Sequence, residues 1–225
     1  GMKICDGRPN LRERYGGKGS SLLYVHDLNL PSRDGFILPT SIPRSGLHHD
    51  DRAWLEREIT QHLRILEADI ARSGVRKRFG DSTEPLVLAV RGGSVFSMPG
   101  MLSTIVFVGM NDRIAEALAQ HGPWCAYDSY RRFLASYGLA MWGVDLETFN
   151  VVDDAKRRYG VEYKTDLPGE AMREIAEESK TVFRDHGFSN ELEEALADPM
   201  RQLVDSVVTV FESWNKERAR RYREI

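Results

Sequence analysis

Two short stretches of this chain pair backbone freedom with a cation, and both suit the capture of a phosphate. The first is Tyr15-Gly16-Gly17-Lys18-Gly19-Ser20-Ser21-Leu22. Glycines let a backbone approach a ligand closely, and a helix starting just after them points unpaired amide donors outward. A lysine inside such a turn suits a phosphate or carboxylate. The spacing is not that of a P-loop, which needs glycine where Arg12 stands and Ser or Thr where Gly19 stands. A plain glycine turn with a solvated lysine accounts for the same residues.

The second stretch is Val90-Arg91-Gly92-Gly93-Ser94-Val95-Phe96-Ser97-Met98-Pro99-Gly100-Met101. It follows a near-continuous apolar run, Pro85 to Val90, which predicts a buried strand. An arginine at the end of a buried strand is expensive to hold unless it meets an anion or another partner. The loop beyond it is rich in residues that tolerate unusual backbone angles and offer amide and hydroxyl donors, which is one way to cradle a phosphate without a P-loop. An ordinary connection with Arg91 in a structural ion pair is the competing reading, and the residues alone do not choose.

Two further segments read as structure first. In Ala126-Tyr127-Asp128-Ser129-Tyr130-Arg131-Arg132-Phe133, a helix brings Asp128 to Arg131 and Arg132 at i+3 and i+4, predicting a surface ion pair with the aromatics packing inward. In the segment 210–223, Lys216, Arg218, Arg220, Arg221 and Arg223 interleave with Glu212 and Glu217, as on a solvated helical face. His48-His49-Asp50-Asp51 reads as a loop or helix cap rather than a metal site, because neighbouring residues on one helix point different ways.

These residues need elements to hold them. A short helix is compatible with 20–28 and a strand with 35–39. Leu55, Ile59, Leu63, Leu66 and Ile70 recur at the helical period, with Asp50 or Asp51 as N-cap and Gly74 at the end. Strands are expected at 85–91 and 104–108, and helices around 112–121, 126–141, 146–159, 168–186 and 199–223. The expectation is a mixed first half and an almost wholly helical second half.

Composition removes several classes of function. In 225 residues, 31 Lys plus Arg face 34 Asp plus Glu, a net charge of −3, so no global basic field draws the chain to nucleic acid. No apolar run approaches the roughly 18–20 residues of a membrane helix, and the first residues lack the apolar core of a secretory signal. Gly1 ahead of Met2 reads as a scar of tag removal. Cys5 and Cys125 have no CxxC spacing, which predicts neither a zinc site nor a disulfide framework and favours a reducing cytoplasm.

Taken in order, the four segments resemble the N-terminal region of the pyruvate phosphate dikinase family. Gly16 to Leu22 is similar to its GGKGANL, 90–104 to its VRSGAxxSMPGMMDT, 125–133 to its FAYDSYRRF, and 210–223 to its VFxSWNxxRAxxYR. Ser97-Met98-Pro99-Gly100-Met101 favours the pyruvate phosphate branch over the water-using and sugar-using dikinases. The resemblance implies an α+β fold, the first lobe of an ATP-grasp unit with a small mixed sheet and an inserted all-helical subdomain. The lobe would comprise 1–111 and 196–225, and the insertion 112–195.

The resemblance further implies that Lys18 and Arg91 contact the phosphates of Mg-ATP. The loop with Gly92, Gly93, Ser97 and Gly100 would cover them, and Arg132 would be a further phosphate contact. No catalytic residue and no metal ligand is assigned, because the acidic metal ligands are expected on a second lobe beyond Arg223. A phosphohistidine domain and a pyruvate-binding barrel would lie beyond that. Gly92 departs from the family's usual Ser and Ser103 from its usual Asp. One lobe alone supplies only part of the charge compensation that phosphoryl transfer needs, so nucleotide or phosphate binding without dikinase turnover is expected of it. The competing readings are a stand-alone binding or regulatory protein, homodimeric over the surface of the missing lobe, and one chain of a split dikinase. No nucleic-acid or membrane partner is expected.

Overall fold

The computed structural model describes residues 10–42, 49–95, 100 and 102–224. Helix dominates. Helix α1 (Leu11–Asp27) is two helical pieces joined across a kink at Gly16, whose φ of 71° and ψ of 172° suit only glycine. Of the short helix expected at 20–28, the kink explains the earlier start: helix resumes directly after Gly16, and a further piece precedes it.

The segment 35–39 forms no strand. It packs on helices instead, Ile37 against Gly19 and Phe36 stacked on His62 at 5.8 Å. The Thr40 amide then donates to the Arg14 carbonyl at 2.8 Å. A short apolar run therefore finds side-chain partners without a ladder.

Helix α2 (His49–Arg72) buries Leu55, Ile59, Leu63 and Leu66 along one stripe, as the period requires. It already includes Asp50 and Asp51, so neither caps it. Ser73 and Gly74 close its end by donating to the carbonyls of Ile70 and Ala71, with Gly74 at φ 86°.

In place of one mixed sheet there are two separate two-stranded ladders. Strands β1 (Arg78–Phe79) and β2 (Pro85–Leu86) pair in parallel. Strands β3 (Leu88–Arg91) and β4 (Thr104–Val108) pair antiparallel, with Arg91 opposite Thr104 and a register shift between Leu88 and Val90. The run 85–91 is thus broken at Val87, and β3 alternates between half-buried and exposed residues rather than lying buried on both faces.

The remaining chain is helical: α3 (Asp112–Ala119), α4 (Pro123–Trp142), α5 (Val151–Tyr159), α6 (Gly169–Asp185), α7 (Ser189–Ala197), α8 (Pro199–Ser213) and α9 (Glu217–Arg223). Local chemistry sets the ends. Asn111 caps α3 by accepting from the Ile114 amide at 3.0 Å, and Asp198 caps α8 by accepting from the Arg201 amide. Pro123 opens α4, and Gly143 closes it at φ 73°. The expected helix at 146–159 is divided by Asn150 at φ 52°, and that at 199–223 by a turn at 214–216, where Asn215 donates to the Glu212 carbonyl. Helix α7 had no expected counterpart.

One apolar core runs through the whole assembly, from Leu55 on α2 through Ile105 and Val108 on β4 to Phe133, Ile175, Phe183 and Leu203 on α4, α6 and α8. Helices α4 and α6 approach closely enough that a Cβ on Gly138 would lie 2.2 Å from Cε1 of Phe183. The β3–β4 hairpin rests on α4 and α8, and Gly92, just beyond Arg91, faces Val210 of α8.

Candidate functional site

The two glycine-rich segments meet. Lys18 Nζ lies 3.4 Å from the carbonyl oxygen of Gly92, the residue after Arg91 and 74 positions along the chain. The Gly17 amide donates to the Ser94 carbonyl at 2.8 Å, and Arg12 Nε donates to the Val95 carbonyl at 2.8 Å. Glycine is what permits this approach: a Cβ on Gly16 would stand 3.0 Å from the Ser94 nitrogen and 3.2 Å from its carbonyl oxygen. Ser20 and Ser21 turn their hydroxyls back to the Gly17 carbonyl, steadying the helix after the kink.

The loop is also held from the other side. The Ser103 amide donates to Oγ of Ser213 at 3.2 Å, and that hydroxyl, fully buried at the end of α8, donates in turn to the Val210 carbonyl. Gly92 is squeezed here, because a Cβ would lie 2.7 Å from Leu102 Cβ and 3.3 Å from Val210 Cγ1. The departure to glycine at this position therefore has a packing reason. The departure at Ser103 leaves a backbone contact that any side chain could make.

Arg91 is exposed at the end of a half-buried strand, aligned with Thr104. The expectation that burial forces it onto an anion does not hold, since the residue is exposed. No ion pair engages it among the described residues, so the alternative of a structural ion pair gains nothing either. Lys18 is likewise exposed, and its ammonium carries three donors, of which the long contact to Gly92 takes one.

The other predicted residues divide. Gly93 is exposed within the loop, beside the Ser94 backbone that α1 grips. Gly100 is exposed at φ 69°, and a Cβ there would lie 3.8 Å from Nη2 of Arg218. Ser97 lies outside the described residues. Arg132 places its guanidinium 5.3 Å from the centre of the Phe107 ring on β4, and no hydrogen bond or ion pair joins it to the Lys18–Gly92 junction among the described residues.

The ion pair predicted for Asp128 forms with Arg131 alone. It is buried, not at the surface: Oδ1 of Asp128 accepts from Nε and Nη2 of Arg131 at 3.2 and 3.0 Å and from Lys164 Nζ at 2.9 Å. Such a network positions helices.

Two residues escaped the sequence reading. In the sequence, Arg12 is only a mismatch to a P-loop, and Arg218 reads as part of a solvated face. The spacing of neither signals the loop, because the Arg12 bond to Val95 and the nearness of Arg218 to Gly100 depend on how distant helices pack.

The junction thus brings the cations Lys18 and Arg12 onto backbone carbonyls of the loop. Among the described residues no group of three His, Cys, Asp or Glu could hold a metal ion, and no helix is long and apolar enough to cross a membrane. A shallow depression of about 480 Å³ beside α5, lined in part by Asp153, Lys156 and Arg157, shares no residue with the junction.

Comparison with known proteins gives the class. No family model matches the chain. Curated relatives do, and they are dikinases. The chain is 34% identical over its full length to the chloroplastic pyruvate, phosphate dikinase of Mesembryanthemum crystallinum, 34% over 99% of its length to the pyruvate, phosphate dikinase of Clostridium symbiosum, and 32% over its full length to the pyruvate, phosphate dikinase of Rickettsia bellii. It spans 23–25% of the length of these relatives. Along its whole length the chain matches one segment, the N-terminal region, of these pyruvate, phosphate dikinases.

Proposed function

We propose that this chain is a nucleotide-phosphate-binding lobe of a dikinase-type phosphotransferase. Lys18 and Arg91 would supply positive charge, and the loop from Gly92 would supply backbone donors. The observation that carries this reading is the contact of Lys18 Nζ with the Gly92 carbonyl, which joins two cation-bearing glycine segments in one place. Charge of this kind stabilises bound polyphosphate and, in a complete enzyme, the phosphoryl group in transfer. The partition into an ATP-grasp lobe (1–111 and 196–225) and a helical insertion (112–195) belongs to the same proposal, as does a phosphate contact from Arg132. So do a cytoplasmic setting and the wider reaction of ATP, phosphate and pyruvate. With cations and amides at the junction, Mg²⁺ would arrive on the nucleotide, its carboxylate ligands coming from elsewhere.

Titration calorimetry with Mg-ATP and Mg-ADP tests this. Binding is expected, weakened about tenfold or more by Lys18→Ala and by Arg91→Ala, the scale of a charge-assisted hydrogen bond. An absence of heat at millimolar nucleotide, with the protein folded, overturns the reading.

A second reading concerns a partner. Leu22, Leu28 and Leu30, on and just after α1, are each about half exposed and lie outside the core. We propose that this face meets a polypeptide supplying the second lobe. Leu22→Glu with Leu28→Glu would abolish that association in sedimentation velocity and leave the melting temperature unchanged. Association unaffected by the pair of changes would refute it.

A further inference from the structure

Strand β4 holds a residue in a backbone conformation that its type disfavours. Phe107 has a φ of 57°, in the left-handed region that a bulky side chain rarely occupies. The pairing shows the cause. Leu88 aligns with Val108 and Val90 with Ile105, so Val106 and Phe107 together oppose Ala89 alone. This is a β-bulge. Burial records it too: Ile105 and Val108 are both fully buried, although an unbroken strand would bury every second residue.

Neighbours fix the bulge from both sides. The Val106 amide donates outside the ladder, to Ser136 Oγ on α4 at 3.1 Å. The Met110 amide donates to the Phe107 carbonyl at 3.2 Å. Fully buried Gln202 then accepts from the Gly109 amide at 2.9 Å and donates to the Met110 carbonyl at 3.1 Å. Strain of this kind persists only where the surroundings determine it, and bulges are a device for re-aiming a side chain.

The side chain that meets Phe107 here is Arg132. It lies one helical turn before Ser136 on α4, on the same face of that helix. Its guanidinium carbon stands 5.3 Å from the centre of the Phe107 ring, within reach of a cation–π contact. Arg132 is exposed and Phe107 half-buried, and no hydrogen bond or ion pair engages Arg132 among the described residues. A guanidinium held over a ring keeps the outer edge of its fork for the paired hydrogen bonds that an oxyanion accepts. The bulge lies opposite Ala89, which alternation places on the same exposed face of β3 as Arg91.

On the nucleotide-lobe reading above, in which Arg132 meets a phosphate oxygen, we infer that Phe107 is a positioning residue: the bulge sets its ring under the Arg132 guanidinium and holds that cation ready for the oxyanion. Phe107 itself touches no ligand. Glycine or asparagine would suit the backbone better, but without the ring Arg132 would range over many rotamers.

Calorimetric titration with Mg-ADP tests this. Phe107→Leu weakens ADP about threefold to tenfold, the scale of a cation–π contact. Arg132→Ala weakens it at least as much. Adding Phe107→Leu to Arg132→Ala changes nothing further, because the ring acts only through that guanidinium. Phe107→Tyr keeps wild-type affinity. In the unliganded protein the Arg132 Nε–H proton resonance, shifted upfield by the ring, moves downfield in Phe107→Leu and stays in place in Phe107→Tyr.

Wild-type affinity in Phe107→Leu overturns the inference and leaves the nucleotide reading standing. So does a double variant in which the two single losses multiply. Wild-type affinity in Arg132→Ala removes Arg132 from the site and this inference with it, while Lys18 and Arg91 still decide the wider reading. A folded wild-type chain that binds no ADP fails the nucleotide reading itself, and the role of Phe107 falls too. If Phe107→Leu does not fold, Phe107→Asn, whose residue tolerates the left-handed backbone, replaces it in every comparison.

Discussion

Gly16 and Ser94 touch backbone to backbone: a Cβ on Gly16 would lie 3.0 Å from the Ser94 nitrogen, at a φ of 71°. No side chain can relieve that crowding by rotating away, because every atom it would strike is main chain. Gly16→Ala should destabilise the fold by about 1–3 kcal/mol, from backbone strain and loss of the approach together. It should also release the loop, so that amide exchange at 92–95 rises more than exchange in α6. Urea denaturation and hydrogen exchange check the two effects, and a substitution that leaves both unchanged would show that the kink is not needed.

Gly92→Ser restores the residue usual in the family and should be harmful here. Its Cβ would meet Leu102 Cβ at 2.7 Å, an atom too close to the backbone to move aside freely. A loss of about 1–3 kcal/mol in chemical denaturation is expected, as for other over-packed sites. Replacing Leu102 by Gly in the same protein should recover part of it. Full stability of Gly92→Ser alone would contradict the packing account of this departure.

Asp128 concentrates three donors on one oxygen at the junction of α4 with the segment carrying Lys164. The side chains of Asp128 and Arg131 are 10% and 13% exposed, and that of Lys164 is 33% exposed. Asp128→Ala strands the Arg131 guanidinium in a dry site, at a cost of roughly 3 kcal/mol, with Lys164 contributing less because water screens it. Arg131→Met with Asp128→Leu should be milder than Asp128→Ala alone. The comparison of the three proteins in urea isolates the stranded charge.

Alkaline pH should unfold the protein earlier than an average tyrosine content implies. Burial pushes the Tyr130 hydroxyl far above its ordinary value of 10.0, and Asp112, which accepts its proton at 3.0 Å, adds to the shift. Tyr137 is also raised, by burial first and then by Asp205. Each folded group keeps its proton where the unfolded chain would release it, so the folded state binds more protons above pH about 10. Stability is then full below that pH and falls as pH rises beyond it. Tyr130→Phe and Tyr137→Phe should each flatten this fall in melting temperature between about pH 9 and 11. Unchanged profiles would exclude the two hydroxyls as its source.

Much of the helical framework was legible. The stripe Leu55, Ile59, Leu63 and Leu66 identified α2, the apolar run 104–108 identified β4, and Gly143 and Pro123 bracket α4 by rules that act within a few residues. The strand expected at 35–39 does not form, because an apolar run reports burial without saying what covers the chain. Here the cover is Gly19 and His62, on two different helices. The break at Val87 and the exposure of Arg91 escaped for a like reason, since an apolar run gives no sign of which faces the neighbours leave open.

Residue type alone settled which groups could serve a polyphosphate: Lys18, Arg91 and a loop supple enough to offer its amides. That Lys18 lies against the Gly92 carbonyl, that Gly92 has no room for a side chain, and that Arg12 donates to the Val95 carbonyl were decided by packing. Helical and strand periodicities arise from forces between near neighbours and are written locally. The meeting of residues 74 positions apart follows from how α4 and α8 seat the β3–β4 hairpin and from the kink that aims α1 at its loop, and no short stretch of sequence carries that geometry.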